Sequence, residues 1–398
     1  GVVRAHTCAP LKVRWDAGTS LLARVRVPNA GRNALRRGFG PGRVRFLLHS
    51  ARLSADERLD GRRYGGAVPS LHPAVAEVRR AVRSALTGLP EGAVVIVGLS
   101  GGADSLALAA AVGFEAPKLG LRAASVTVDH GLQPDSAEVA SAAARAAATL
   151  GLDPLIVRVE VGTEGGPEAA ARDARYGVLR DAARDVRAAA VLLGHTLDDQ
   201  AETVLLGLAR GSGAGSLQGM AAASDLGGVA VLRPLLEVRR ATTRDACAAQ
   251  GLEPWDDPHN RDPKYARVRV RETVLPMLEA ELGPGIAEAL VRTAAQLRED
   301  AEAFDEMIDE TIEDIVEHAE AGIAVSVAAL AANPPALRHR IIRHVVASEF
   351  HVSLTRTQTL EVARLVTDWA GQGPIDLPGC RARRAGALIE FTGAGSGL

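Results

Sequence analysis

The segment from Gly98 to Ser105 has the composition of a loop that binds an anion. It reads Gly-Leu-Ser-Gly-Gly-Ala-Asp-Ser, follows four β-branched residues and precedes an Ala/Leu run. The β-branched residues predict a buried strand and the Ala/Leu run predicts a helix. Such a junction directs backbone N–H groups and the positive end of a helix dipole at one point, so phosphate is the expected ligand. The candidate binding residues are Ser100, Gly101, Gly102, Ala103, Asp104 and Ser105.

The loop alone leaves other interpretations open. An ordinary P-loop needs a lysine, and none lies between Gly98 and Ser105. Residues 98–102 also fit G-x-S-x-G, the nucleophile elbow of α/β-hydrolases, in which Ser100 would be the nucleophile. A glycine turn without any function is the third interpretation.

A second group of polar residues lies in Gly194-His-Thr-Leu-Asp-Asp-Gln-Ala-Glu-Thr203. If this segment is helical, Asp199 and Glu202 follow His195 by four and seven residues and share its face, with Asp198 at the margin. A histidine with three acids suits a site for an amine and for Mg²⁺ that carries nucleotide phosphates. The structural alternative is that acids at a helix start are stabilised by the helix dipole.

Several arginines could act on the same ligand. Arg172 and Arg175 lie with Tyr176 in a predicted helix, Arg210 opens a glycine-rich loop, and Arg233 follows a predicted strand. Arginine can bind phosphates bidentately or neutralise charge that develops during nucleotidyl transfer. Arginines beside acids such as Asp173 also form ordinary surface salt bridges, so only their neighbourhood argues for a role at the site.

The elements that must position these residues alternate between strands and helices. We predict strands at 94–97, 121–128, 154–161, 189–194 and 229–232, and helices at 75–86, 106–112, 136–150 and 166–186. This order predicts an α/β fold with a doubly wound parallel sheet. Ligands of such sheets bind at the carboxyl ends of the strands, where Ser100, Asp129 and His195 all fall.

Composition excludes some classes of protein. The chain has 398 residues and a formal net charge of −2, so any nucleic-acid partner must be bound by local basic patches. No apolar run approaches the ~18 residues of a membrane span. Cys8, Cys247 and Cys380 are far apart, which argues against disulfides or a structural zinc and favours the cytoplasm.

The chain divides into three predicted parts. Residues 1–66 are arginine-rich and lack a periodic pattern, so we expect a poorly ordered extension. Residues 69–275 hold all the candidate site residues. Residues 276–398 predict a mainly α-helical domain that ends in a β-hairpin at 375–391; helices cover 286 to about 320, 335–350 and 355–369. Basic residues at 261–271 and 338–344 suit binding of RNA phosphates, or form solvated helix faces.

Together the motifs resemble the tRNA(Ile)-lysidine synthetase family, whose members are N-type, or PP-loop, ATP pyrophosphatases. Ser-Gly-Gly-Ala-Asp-Ser at 100–105 is similar to the S-G-G-x-D-S loop of these pyrophosphatases. The other matching segments are 168–176, 194–203, 210–213 (Arg-Gly-Ser-Gly), 233–236 (Arg-Pro-Leu-Leu), 257–260 (Asp-Pro-His-Asn), 267–271 and 275–276. The resemblance covers residues 69–285 closely and the remainder loosely.

The resemblance implies a reaction in two steps on the wobble cytidine of an isoleucine tRNA with a CAU anticodon. The C2 oxygen attacks the α-phosphate of ATP and releases pyrophosphate; an amine of free lysine then displaces AMP to give lysidine. It also implies a C-terminal domain that binds tRNA, and members of the family can form homodimers.

The resemblance assigns roles residue by residue. Residues 100–105 would bind ATP, and Asp104 and Asp199 would hold Mg²⁺ with it. The catalytic residues would be Asp104, Arg175, His195, Asp199 and Glu202, with the proton acceptor for the lysine amine left open among the last three. The expected tRNA-binding residues are Arg210, Arg233, Arg267 and Arg271.

Related activities remain as alternatives. PP-loop enzymes that thiolate tRNA generally carry cysteine pairs, which this chain lacks. Other PP-loop enzymes that modify tRNA or form amides share the loop at 100–105, but we do not expect them to carry the segment 194–203. An α/β-hydrolase fits the sequence less well because no HGGG-type oxyanion segment is visible. A non-catalytic nucleotide-binding protein fits less well because it would not need the cluster at 195–202.

Overall fold

The computed structural model describes residues 23–25, 71–131, 135–159, 167–211, 213–257, 261–319 and 322–393. The chain forms two compact units that divide between Ala294 and Ala295. Apart from residues 23–25, the extension predicted for residues 1–66 lies outside the described residues.

A seven-stranded sheet forms the centre of the first unit. Its strands are β1 Ala23–Val25, β2 Val94–Gly98, β3 Arg122–Asp129, β4 Asp153–Val159, β5 Ala190–Leu192, β6 Ala223–Asp225 and β7 Ala230–Leu232. Their order is β1-β4-β3-β2-β5-β7-β6, and every neighbouring pair is parallel except β6 with β7. The predicted parallel sheet is confirmed, and the antiparallel edge strand β6 is an addition to it.

Helices cover both faces of this sheet. They are α1 Pro73–Leu86, α2 Ala103–Glu115, α3 Ser136–Thr149, α4 Pro167–Asp185, α5 Leu197–Ala209, α6 Gly213–Leu217, α7 Arg240–Ala249, α8 Ala266–Arg269 and α9 Leu275–Leu282. In β2, Val95 and Val97 join the core formed with α1, α2 and α7, whereas Ile96 joins the core formed with α4. Successive strand residues face opposite sides, so a strand covered on both faces must be apolar throughout.

The second unit combines helices with an antiparallel sheet. The helix α10 Ile286–Ile315 belongs to it from residue 295 onward. Its other elements are β8 Val316–Ala319, β9 Gly322–Ser326, α11 Val327–Ala332, α12 Pro335–Phe350, α13 Arg356–Thr367, β10 Ile375–Leu377, β11 Cys380–Ala385 and β12 Leu388–Gly393. The sheet has the order β10-β11-β12-β9-β8, and β11 and β12 form a hairpin within the region where one was predicted.

One predicted helical segment of the second unit is too long. The sequence pattern predicts long helices from 286 to about residue 320, but the structure has one helix, α10, which ends at Ile315, and Val316–Ala319 pair with β9 as a strand. This pairing supplies hydrogen bonds from a partner that follows in the sequence, which helix periodicity does not reveal.

In the described part of the chain, none of the helices is long and apolar enough to cross a membrane.

Candidate active site

The glycine-rich loop joins the carboxyl end of β2 to the start of α2. Gly102 is the N-cap of α2, and no side chain among the described residues caps the free N–H groups of the first turn. Gly101 has φ = 87°, a left-handed conformation that favours glycine. The Ser100 and Ser105 hydroxyl oxygens lie 3.1 Å apart, and Ser105 Oγ donates to the Gly102 carbonyl at 3.0 Å. The loop therefore presents donors and a helix N-terminus to an anion.

The start of α2 packs closely against the end of β5. A Cβ atom at Gly194 would lie 3.0 Å from both the carbonyl carbon and the carbonyl oxygen of Asp104. Backbone atoms on the facing element cannot move aside as a flexible side chain can. The absence of a side chain at Gly194 thus sets how near the segment 194–203 comes to the anion-binding loop.

A methyl group at Gly194 should disturb this contact. We expect Gly194→Ala to lower the free energy of unfolding by about 1–3 kcal/mol, the usual cost of overpacking a close contact. Urea denaturation of the full chain measures this change. Gly177→Ala on α4 is the matched control, since a Cβ there meets nothing within 4 Å. Equal stability of the two variants would contradict the close approach.

Asp199 takes part in capping the N-terminus of α5. Thr196 is the N-cap and forms a capping box with Asp199: Asp199 Oδ2 accepts from the Thr196 backbone N–H at 2.9 Å and from Thr196 Oγ1 at 2.8 Å. Asp199 Oδ1 accepts from Arg240 at 2.7 Å and lies 3.5 Å from Arg271. Burial opposes its charge, but Arg240 and Thr196 lower the pKa of Asp199 below its usual value. Both carboxylate oxygens already have partners.

Arg240, the first residue of α7, connects the two candidate segments. Its guanidinium lies 2.7 Å from Asp199 Oδ1, 3.1 Å from Glu202 Oε1 and 3.6 Å from Asp104 Oδ2. Burial opposes its charge, yet the surrounding carboxylates raise the pKa of Arg240 above its usual value. One cation thereby holds Asp104 of the loop beside the carboxylates of α5.

Glu202 is fully buried, with 0% of its side chain exposed. Besides Arg240, it accepts from Arg271 Nε at 2.8 Å and Arg271 Nη2 at 3.0 Å, and Arg267 Nη1 lies 3.6 Å from its Oε2. Its two oxygens are thus surrounded by three guanidinium groups. Glu202 anchors arginines, and it has no free oxygen with which to accept a proton from a substrate.

Asp104 is the carboxylate with an open coordination position. Its Oδ1 accepts a hydrogen bond from Thr243 Oγ1, and its side chain is 27% exposed. Burial raises the pKa of Asp104, although Thr243 and Arg240 oppose this rise. Within the described chain no group of three or more potential ligands could hold a metal ion without a substrate. Mg²⁺ needs only one or two carboxylates when phosphates supply other ligands, so Asp104 fits it and Asp199 fits it poorly.

Two histidines follow β3 and β5, the two strands that flank β2 in the sheet. Nδ1 of His130, after β3, and Nδ1 of His195, after β5, are buried and have no partner among the described residues. Burial lowers the pKa of each to about 4. The positive charge of Arg175 further lowers the pKa of His130, and those of Arg233 and Arg172 further lower the pKa of His195, so these arginines lie near the histidines. Both imidazoles are neutral at pH 7.

These histidines should make the protein less stable in mild acid. Their folded-state pKa values lie below the unfolded value of 6.5, so the unfolded chain binds more protons between pH 6.5 and 4, and stability falls as the pH falls through this window. We expect a loss of about 1–2 kcal/mol per histidine from pH 7 to 5. Urea denaturation at both pH values should show a smaller loss in the His130→Gln/His195→Gln variant. An unchanged loss would contradict the assignment.

The four arginines expected to bind tRNA have different surroundings. Arg267 and Arg271 form ion pairs with Glu202. Arg233 donates to the Ala221 carbonyl at 2.8 Å and to Ser224 Oγ at 3.0 Å. Arg210 is exposed at the C-cap of α5. In the second unit, Arg338 is buried and donates to the carbonyls of α11 and Asn333, so it serves the fold.

Sequence reasoning missed Arg240 and Thr243. Both lie on α7, and both contact Asp104, which is more than 130 residues earlier in the chain. The only available signal was their position shortly after the Arg233-Pro-Leu-Leu segment.

The hydrolase interpretation finds no support: within the described part of the chain, Ser100 Oγ contacts Ser105 Oγ and no imidazole.

Known proteins share both units. The PP-loop domain family matches residues 75–278, and the TilS substrate binding domain family matches residues 326–387. The tRNA(Ile)-lysidine synthase of Leifsonia xyli subsp. xyli is 61% identical over 305 residues, which are 76% of this chain and 91% of the relative. The synthase of Thermobifida fusca is 53% identical over 78% of this chain and 95% of the relative, and that of Salinispora tropica is 52% identical over 81% and 98%.

Proposed function

The chain belongs to the tRNA(Ile)-lysidine synthase family, and on this premise we propose that it joins free lysine to C2 of the wobble cytidine of tRNA(Ile) at the expense of ATP. The observation that carries the proposal is the contact of Arg240 with Asp104, Asp199 and Glu202, which unites the loop and the acidic helix in one site. We do not expect the alternative PP-loop enzymes to carry the segment 194–203.

In this proposal ATP binds at the start of α2. The free N–H groups of the first turn and the hydroxyls of Ser100 and Ser105 suit the phosphates that leave as pyrophosphate. Asp104 would hold Mg²⁺, which would supply positive charge to neutralise the phosphates. This assignment differs from the sequence prediction, in which Asp199 shared the metal, because both oxygens of Asp199 accept other hydrogen bonds.

The first step forms a bond between the cytidine O2 and the α-phosphorus and breaks the bond to pyrophosphate. Negative charge grows on the phosphate oxygens, and positive arginines nearby lower the barrier. Arg175 and Arg172 lie on α4 beside His130 and His195, at the same carboxyl edge of the sheet as the loop. We assign charge stabilisation to Arg175 for this reason.

In the second step a lysine amine attacks C2, and the oxygen leaves with AMP. The amine must lose a proton. Among the three predicted acceptors, Asp199 and Glu202 have both oxygens occupied, whereas His195 is neutral and its Nδ1 is free of partners within the described residues. His195 is therefore our candidate acceptor, and Asp199 and Glu202 position Arg240 and Arg271.

The substrates can be tested with the full chain. With ATP, Mg²⁺ and labelled lysine, a tRNA(Ile) transcript with a CAU anticodon should acquire label, and a transcript with uridine at the first anticodon position should not. Label in both transcripts, or in neither, would contradict the proposal. The CAU anticodon, free lysine and a homodimer are parts of this proposal that rest on the family resemblance.

A further inference from the structure

A basic cavity lies at the far end of α2 from the ATP loop. It has a volume of about 400 Å³, and α1, the end of α2 and the turn that follows it form its walls. Its charged and aromatic lining residues are Arg79, Arg80, Arg83, Phe114 and Lys118. Phe114 follows Asp104 by ten residues, and a helix rises 1.5 Å per residue, so the cavity is about 15 Å along α2 from the loop.

Phe114 separates two of the cations. The Arg79 guanidinium and the Lys118 ammonium each lie 3.4 Å from the centroid of its ring. Two cations at this distance must occupy opposite faces of the ring. Both faces of Phe114 are thus covered, although the side chain is 40% exposed, and the ring holds two positive charges apart at the surface.

The positive charge exceeds what the fold needs. Glu115 is buried and pairs with Arg83 through two hydrogen bonds of 2.9 Å, and Arg79 and Lys118 favour its charged form from a greater distance, so one carboxylate faces several cations. The carboxyl end of α2 carries only about half a negative charge. Arg79, Arg80 and Lys118 form no ion pair with any acid that the structure describes. A stabilised helix end would not require three further cations.

Arg79 is also incompletely satisfied. Its Nε is buried and has no acceptor in the described part of the chain. Burial lowers the pKa of Arg79, and Glu115 opposes this effect only partly. Because Arg79 lines the cavity, an anion bound there would offset the cost that burial imposes on its positive charge.

We propose that this cavity binds backbone phosphates of the tRNA, away from the anticodon. The inference rests on the proposed function for the identity of the polyanion. A tRNA held at the wobble base has phosphates at many distances from the reacting cytidine, and one 15 Å or more away can reach the far end of α2. Arg80 and Lys118 are exposed and can contact phosphate oxygens without moving the core.

The test measures binding of tRNA(Ile) to the full chain by filter binding at several salt concentrations. The Arg80→Ala/Lys118→Ala variant should bind tRNA about tenfold more weakly. The magnitude of the negative slope of the logarithm of the association constant against the logarithm of salt concentration should decrease by about 1.5. Arg145→Ala, which removes an exposed arginine on α3, should leave both unchanged. Phosphate contacts ignore sequence, so a non-cognate tRNA should lose the same affinity.

Two results would overturn the inference. Unchanged tRNA affinity and an unchanged salt dependence in the Arg80→Ala/Lys118→Ala variant would overturn it, even if calorimetry found that inorganic pyrophosphate binds the cavity. A loss confined to the cognate tRNA would also do so, since it would indicate base recognition. Failure of lysine incorporation by the unaltered chain would refute the proposed function instead, because tRNA binding is measured without lysine or ATP.

Discussion

Replacing Glu202 by glutamine should destabilise the protein more than any other single change at the site. The carboxylate is fully buried beside Arg240, Arg271 and Arg267, and its removal would leave these cations to repel one another in a poorly solvated place. Breaking a buried ion pair by removing one partner costs about 3–5 kcal/mol. Urea denaturation of the full chain, monitored by circular dichroism, should show a decrease of this size in the free energy of unfolding.

Activity should fall with stability in this variant, because Arg240 and Arg271 lose the group that orients them. Glu281→Gln is the matched control: it makes the same chemical change at an exposed position of α9 and should leave stability and activity within error of the unaltered chain. A Glu202→Gln variant as stable as Glu281→Gln would contradict the role of Glu202 as the arginine anchor.

Asp104→Asn should have the opposite profile, in which activity is lost and stability is kept. Burial raises the pKa of Asp104, so its charge is disfavoured in the free protein and a neutral amide costs little. Asparagine can still accept the hydrogen bond from Thr243 through its Oδ1. Without a carboxylate to hold Mg²⁺ at the phosphates, AMP formation that depends on lysine and tRNA should fall by at least about 100-fold.

The control for this prediction is Asp245→Asn, on the exposed face of α7 two residues after Thr243. Steady-state AMP formation at saturating ATP and thermal unfolding should be measured on both variants. AMP formation by Asp104→Asn within about threefold of the control would remove Asp104 from the metal site. A large loss of stability would instead mean that its charge supports the fold.

Local sequence patterns predicted the elements that carry the site. The β-branched run before Gly98, the glycines after it and the alanine-rich helix are all signals contained in about twenty residues, and the structure has β2, the loop and α2 there. The spacing predicted His195, Asp199 and Glu202 on one helical segment. Asp199 and Glu202 do lie on α5, but α5 begins at Leu197 with Thr196 as its N-cap, so His195 precedes the helix and does not share its face.

Contacts between distant segments could not be predicted in this way. Asp199 and Glu202 looked like ligands for a metal and an amine, but arginines that follow them by about 40 and 70 residues occupy their oxygens. The strand β8 likewise depends on pairing with β9, and its four residues continue the pattern of α10. Short-range periodicity reports which face of an element is buried, and it does not identify the partner.

We infer that one site transfers the α-phosphorus of ATP to an RNA base. The most direct test incubates the full chain with ATP labelled at the α-phosphate and tRNA(Ile) in the absence of lysine, and then adds lysine. We predict that label joins the tRNA in the first stage and is released as AMP in the second. Label that never enters the tRNA, or that lysine does not release as AMP, would contradict the account.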